Sequence, residues 1–308
     1  MAGAPPIGKL ALIGIGLIGS SIAHGARAGG LTGHIAGHTP DADQLKRAHA
    51  LGFTDSLHAS LADCVRDADL VILAAPVGAY ADIAREMAPY LKPGAIVSDT
   101  GSVKTAVVRD VGPHIPAGVH LIPAHPIAGT EQSGPEAGFA ELFKGRWCIL
   151  TPPPGADATA VETVRAFWQR LGSDVETMDP RHHDLVLAIT SHVPHLIAYN
   201  IVGTAAHLEE VTKGEVIKYS AGGFRDFTRI AASDPTMWRD VFLNNREAVL
   251  EMLGRFSEDL TALQRSIRYG DGEALFDLFT RTRAIRRSIV DAGQDTASPN
   301  FGRGKKDQ

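Results

Sequence analysis

The stretch that most constrains the fold lies near the start of the chain. Lys9 to Ile13 is a short apolar run, followed at once by Gly14-Ile15-Gly16-Leu17-Ile18-Gly19 and a helical pattern to about Ala28. Three glycines between a strand and a helix each have a separate physical task. Gly14 permits the tight turn, Gly16 lets backbone approach a pyrophosphate, and Gly19 lets the helix pack on the strand. The first turn of such a helix offers free N–H groups and a positive dipole end to phosphate. The glycine spacing alone is weak, but between an N-terminal strand and a helix it is a strong dinucleotide signal. Gly14, Gly16, Leu17, Ile18 and Gly19 are therefore candidate cofactor-binding residues.

The chain then keeps alternating strands and helices. A second strand over His34 to Gly37 is followed by His38-Thr39-Pro40, where an acidic residue would bind the ribose 2′-hydroxyl and an Arg a 2′-phosphate. His38 and Thr39 are neither; the lack of an Arg points to NAD, with NADP still possible. Helices are expected over Asp41 to Leu51 and Leu61 to Asp67, then a strand over Leu70 to Ala74. Ala75 and Pro76 in the small-residue turn after it suit close approach to the cofactor. Helix Tyr80 to Leu91 and strand Ala95 to Ser98 lead into Asp99-Thr100-Gly101-Ser102-Val103-Lys104. Ser102 either caps the next helix or hydrogen-bonds a ligand or histidine in the cleft. Val119 to Ile122 reads as a strand, which Pro123 and Pro126 stop. His125 is thus expected on a stiff, irregular segment just past a strand's carboxyl end, near Ser102, where open α/β sheets place ligands. Strand Trp147 to Leu150, helix Asp157 to Leu171 and strand Asp174 to Met178 complete an α/β Rossmann domain over residues 1–179.

From Arg181 onward the pattern is helical, giving an all-α substrate and dimerisation domain over 180–291 and a polar, disordered tail over 292–308. A chain of 308 residues has room for both. Leu185 to Ala206 is long enough to span a membrane and carries no Lys, Arg, Asp or Glu. It does hold Ser191, His192, Pro194, His195 and Asn200, which are costly in lipid, so a buried helix is expected, kinked at Pro194. His192 and His195, three apart, face roughly the same way, but no third ligand pattern suggests a metal. Gly222-Gly223 ends one helix, and Arg225 and Arg229 are spaced one turn apart on the next, with Asp226 between them. Asp234-Pro235 starts a helix with Trp238 in its first turn, and helices over Asp240 to Tyr269 and Glu273 to Asp291 carry apolar faces suited to a homodimer. A net charge of −5 without Lys/Arg blocks leaves no footprint for nucleic acid. Two distant cysteines, Cys64 and Cys148, and an N-terminus unlike a signal peptide suggest a cytoplasmic protein.

Five blocks occur together and in order: Gly14-x-Gly16-Leu17-Ile18-Gly19, Asp99-x-Gly101-Ser102-Val103-Lys104, His125-Pro126-Ile127-Ala128-Gly129-Thr130-Glu131, Ser191-His192-x-Pro194-His195 and Asp226-x-Thr228-Arg229. In these the chain resembles the prephenate/arogenate (cyclohexadienyl) dehydrogenases, over about residues 9 to 290. The resemblance implies a Rossmann domain followed by a helical domain that dimerises, with the active site between them. It implies oxidative decarboxylation of prephenate or arogenate with NAD(P), in tyrosine biosynthesis. His125 takes the place of the general base and Ser102 of its partner; His195 and Arg229 fall on substrate-binding positions. Thr130, Glu131, Gly222, Asp226 and Trp238 join them as substrate-side candidates. The chain departs from the family in lacking the acidic residue after the second strand and a regulatory domain after the helices. Two alternatives stand beside this reading: a 3-hydroxyacid-type dehydrogenase of the same two-domain architecture, a class that typically uses a lysine base on the helical domain, and a non-catalytic dinucleotide sensor.

Overall fold

Strands buried on both faces need apolar side chains at odd and even positions alike, and the first strands have them. In the computed structural model, which describes residues 6–130, 132–207, 215, 218–219 and 222–291, Leu10 and Leu12 of β1 (Ile7–Ile13) enter one core. Ala11 and Ile13 enter another on the opposite face. β4 (Leu70–Leu73) repeats the division, with Leu70 and Ile72 on the first side and Val71 and Leu73 on the second. With β2 (Thr32–His38), β3 (Ser56–His58), β5 (Ile96–Asp99) and β6 (His120–Leu121) they form a parallel sheet of order β3-β2-β1-β4-β5-β6. The strand order reverses between β1 and β4, which puts a crevice at the carboxyl ends of those two strands.

The helices on the sheet are α1 (Leu17–Ala28), α2 (Ala42–Leu51), α3 (Leu61–Val65), α4 (Tyr80–Met87) and α5 (Lys104–Asp110). Asp41 caps α2 by accepting from the N–H groups of Asp43 and Gln44, and Ser60 caps α3 through Asp63. Ser102 does not cap α5, whose first residue follows Val103; that task falls to a carboxylate from much later in the chain.

The segment around His125 departs from the sequence expectation. Pro123 interrupts the sheet as foreseen, but Ala124–Pro126 then forms a strand of its own, β7. It pairs antiparallel with β8 (Trp147–Leu150), which pairs parallel with β9 (Asp174–Thr177) in a second, three-stranded sheet. His125 therefore sits in a hydrogen-bonded ladder opposite Ile149, and not on irregular backbone. Proline stops one ladder here only by delivering the chain to another. α6 (Ala158–Arg170), capped by Asp157, joins β8 to β9.

After Asp179, which caps α7 (Pro180–Leu187), the chain is helical. A π-helical turn over Ala188–His192 runs directly into α8 (Val193–Ala206), so the irregularity foreseen at Pro194 lies in the turn before it. The expected burial of this segment is not met: only 28% of its apolar window is buried, and Leu185, Ile189, Ile201 and Val202 are exposed. α9 (Gly222–Thr228) places Gly222 and Gly223 inside a helix, followed by a 3₁₀ turn over Arg229–Ala232. α10 (Pro235–Asn244) is capped by Asp234 and sends Trp238 and Val241 into the same core as β4 and β5.

The single helix expected from Asp240 to Tyr269 is broken at Asn245, leaving α11 over Arg246–Tyr269. The buried Asn245 amide is tied to Asp184 and His192, which draws the backbone out of helical register. α12 (Gly272–Asp291) follows. The chain divides into two compact units, Met1–Leu250 and Glu251–Gln308; the candidate site described below belongs to the first. The tail beyond Asp291 and Glu131 lie outside the described residues.

Candidate active site

The three glycines of the turn differ in what surrounds them. Gly14 has φ +99°, and a Cβ there would lie 2.5 Å from the Ala74 carbonyl oxygen. A Cβ on Gly19 would lie 2.1 Å from the Gly14 carbonyl oxygen, so helix and turn touch through the missing side chain. A Cβ on Gly16 meets no heavy atom within 4 Å. Gly16 is also the residue that begins α1, and no side chain caps that helix end. Open backbone beside uncapped N–H groups fits a pyrophosphate. Leu17 and Ile18 open the helix, while Ala75 and Pro76 follow β4 across the crevice. His38 ends β2 and is buried, its Nδ1 donating to the His58 carbonyl at 3.0 Å. Thr39 is buried beside it.

At the ends of β5 and β7 the structure builds a chain of three polar side chains. Asp184 of α7 accepts from the backbone N–H of Lys104 at 2.7 Å and of Thr105 at 2.9 Å, and so caps α5. It also accepts from the Thr105 hydroxyl. Its Oδ1 lies 2.8 Å from His183 Nδ1, and His183 Nε2 lies 2.9 Å from His125 Nδ1. Burial pushes the Asp184 carboxyl up, but the hydrogen bonds from His183, Thr105 and the α5 backbone outweigh it and hold it below the usual range. Burial drives His183 and His125 the other way. His125 goes well below the ordinary histidine value, helped by His183, Lys104 and His192 around it.

The protons then have one consistent arrangement. An ionised Asp184 accepts from His183 Nδ1–H; neutral His183 accepts at Nε2 from His125 Nδ1–H. His125 is left with a bare lone pair on Nε2. A neutral imidazole with one nitrogen anchored and the other free is a base held in a fixed direction. Ser102, the expected partner, is half-buried, and its hydroxyl has no hydrogen-bond partner among the described residues.

A second cluster centres on Trp238. His195 stacks on its ring with centroids 3.7 Å apart, and His192 meets it edge-on at 6.0 Å. His195 Nδ1 donates to the Ser191 carbonyl at 2.9 Å; burial first, and the charge of Arg229 with it, keep the ring neutral. His192 Nδ1 accepts from the Asn245 amide at 3.0 Å, so its Nε2 carries the hydrogen. Burial brings His192 down to about 4. Among the described residues, His192 Nε2 and Trp238 Nε1 are buried donors with no hydrogen-bond partner. Arg225 pairs with Asp226 at 3.1 Å on exposed α9. Gly222 lies at the start of that helix, and exposed Thr130 accepts from the Gln132 N–H.

Residues 22–177 match the family model described as prephenate dehydrogenase, nucleotide-binding domain, and residues 179–281 match prephenate dehydrogenase, dimerization domain. The chain belongs to the prephenate dehydrogenase family. The cyclohexadienyl dehydrogenase of Zymomonas mobilis is 40% identical over 91% of this chain and 95% of its own length. The prephenate dehydrogenase of Bacillus subtilis is 32% identical over 90% of this chain and 75% of its own. The crystal structure of prephenate dehydrogenase from A. aeolicus in complex with hydroxyphenyl propionate and NAD+ matches with a TM-score of 0.85, at 35% identity, covering 92% of this chain and 98% of that one.

Sequence reasoning brought out His125, His195 and Trp238 but missed His183, Asp184 and Asn245. The His182-His183-Asp184 run, one residue beyond Asp179-Pro180, was the available signal. Nothing in the sequence shows that residues 80 apart, Lys104 and Asp184, meet. Among the described residues no group of three or more potential metal ligands occurs.

Proposed function

We propose that this chain oxidises prephenate or arogenate with NAD as the preferred hydride acceptor, releasing CO2 and giving 4-hydroxyphenylpyruvate or tyrosine. The observation that carries the chemistry is the Asp184–His183–His125 chain, which ends in a neutral, oriented base. A bound nicotinamide supplies the hydride acceptor. The residues that would hold the dinucleotide are Gly14, Gly16 and Gly19 with the α1 N-terminus, flanked by His38, Thr39, Ala75 and Pro76. His125 Nε2 takes the proton of the hydroxyl on the ring's saturated carbon as that carbon gives up hydride. The electron pair of the bond to the ring carboxylate then flows through the ring onto the new carbonyl oxygen, CO2 leaves, the ring becomes aromatic, and the phenolate oxygen takes back the proton held on His125. That step needs no metal and no covalent enzyme intermediate.

For substrate binding, Arg229 supplies a fixed guanidinium fork for a carboxylate beside His195. The N–H groups of His192 and Trp238 add donors that the protein itself leaves unused among the described residues. Asp226, Gly222, Thr130 and Glu131 remain substrate-side proposals by family resemblance, and Ser102 a partner to substrate or cofactor. We place the functional division at residue 179, in line with the two matched family regions. A homodimer through the helical part is supported by the exposed apolar residues on α7, α8, α11 and α12 and by the description of the second region.

Mixing the purified chain with prephenate and NAD should produce the NADH absorbance band; arogenate and NADP in the same assay rank the alternatives. No NADH from either substrate, in protein that binds NAD by fluorescence titration, would sink the reading. A higher kcat/KM with NADP would show that His38 and Thr39 were misread.

A further inference from the structure

Asp99 and Lys104 end the Asp-x-Gly-Ser-Val-Lys block, and the chemistry above uses neither. Both side chains are fully buried, Lys104 at 0% and Asp99 at 1% exposure, with Nζ 2.5 Å from Oδ2. A buried ion pair rarely stabilises a fold better than apolar side chains of the same size would, so its retention asks for another reason. The hydrogen bonds supply one. Lys104 Nζ donates to the Ala124 carbonyl at 2.6 Å, and Asp99 Oδ1 accepts from the Ala124 N–H at 3.1 Å. The two charges thus hold both backbone polar groups of the residue immediately before His125, where Pro123 has broken the main sheet. Asp99 is itself fixed by the Gly101 N–H at 2.7 Å, and Lys104 by the Asp184 cap on its own N–H. The pair joins the end of β5, the start of α5 and β7 at one point.

We propose that Lys104, together with Asp99, is a positioning residue for the dehydrogenation: it fixes the β7 backbone so that His125 Nε2 points at the substrate. This rests on His125 being the base. Charged and titratable groups surround His125 from the elements packed on it: Lys104 from α5, His183 with Asp184 from α7, His192 from the π turn and Cys148 from β8, while Asp99 of β5 acts on His183. Burial lowers Lys104 and raises the Asp99 carboxyl, each opposed by the partner beside it, and Lys104 counts among the groups that lower His125, so its removal raises the pH at which His125 takes up a proton.

The test uses the whole protein and three forms: wild type, Lys104→Arg, and the pair Asp99→Asn with Lys104→Met. The pair variant avoids stranding a buried carboxylate, and Asn can still accept from the Ala124 N–H. Folding is checked by circular dichroism and thermal melting. Expected for the folded pair variant is a kcat about tenfold lower, KM within about twofold, and an acidic limb of kcat/KM moved up by about one pH unit. Lys104→Arg, which keeps the charge, should leave the limb in place. A direct readout, independent of turnover, is the ¹⁵N shift of the His125 ring against pH, assigned by its loss in His125→Asn. It should show the Nδ1–H tautomer in wild type and easier protonation in the pair variant. A wild type without activity on prephenate but with that ring behaviour would fail the proposed reaction and leave the role of Lys104 standing. A folded pair variant with kcat within twofold and an unmoved limb overturns the proposal. So does a pair variant that cannot fold, which would assign the pair to stability, or a Lys104→Arg limb that moves as far as the pair's.

Discussion

His125 titrates low because the neutral ring loses little on burial, whereas the imidazolium would lose its hydration and face Lys104, His183 and His192. Activity requires the neutral form, so kcat/KM should be flat near pH 7 and fall only below the ordinary histidine pKa of about 6.5. His125→Asn keeps the size and cannot take the proton. It should lose roughly 10²- to 10⁴-fold in kcat and its acidic limb, while prephenate still binds; near-normal turnover with the limb intact would place the base elsewhere. The same three buried histidines make stability depend on pH. Each is depressed in the folded state, so the unfolded chain binds more protons as pH falls, and stability present above about 6.5 is lost below it. For His192 the loss continues to about 4. Thermal melting between pH 7 and pH 4 should show a falling Tm, and a flat profile would contradict neutral burial. Arg229 belongs to the same scale. A carboxylate clamp contributes equally to ground and transition states, so Arg229→Ala should raise KM about tenfold or more and lower kcat little. An unchanged KM would remove it from the site.

At the scale of elements, the β1–α1 turn separates a glycine kept for packing from one kept for the ligand. Gly19→Ala would drive a Cβ onto the Gly14 carbonyl and should cost about 3 kcal/mol of stability, read as a lower melting temperature. Gly16→Ala meets open space and ordinary negative φ, so its Tm should match wild type. Its added methyl nonetheless occupies the place a pyrophosphate would take, and the KM for NAD should rise about tenfold or more, roughly 1.4 kcal/mol. Equal NAD affinity in the two proteins would show that the cofactor approaches elsewhere. α5 makes a related point: its N-terminus is capped not by the neighbouring Ser102 but by Asp184, so one carboxylate both starts a helix and orients His183.

For the whole molecule, the helical part leaves large apolar side chains in water. Ile267, Tyr269 and Phe276 are each more than two-thirds exposed, and Leu185, Ile189, Ile201 and Val202 interrupt the surface of α7 and α8. A chain with that much uncovered apolar area is expected to pair with its own copy. Sedimentation at micromolar concentration should give a dimer mass; a monomer would refute it. This exposure also explains why the apolar segment from Leu185 to Ala206 is not the buried helix its composition suggests. One chain covers only one side of it.

The sequence by itself determined what local rules control. Continuous apolar runs between helical segments specified strands buried on both faces, and the glycine spacing specified a tight strand–helix turn. Asp41, Asp157 and Asp234 marked helix starts that the structure keeps. Each depends on neighbours a few residues away, which a sequence displays. The tertiary structure alone decided the partners of the buried polar groups. It passed β7 to a second sheet, broke a helix at Asn245, and gave His125 to His183 in place of Ser102. Those outcomes turn on side chains 53 to 80 positions apart competing for the same buried donors and acceptors. Desolvation makes every unpaired one costly, and no local pattern records which partner wins.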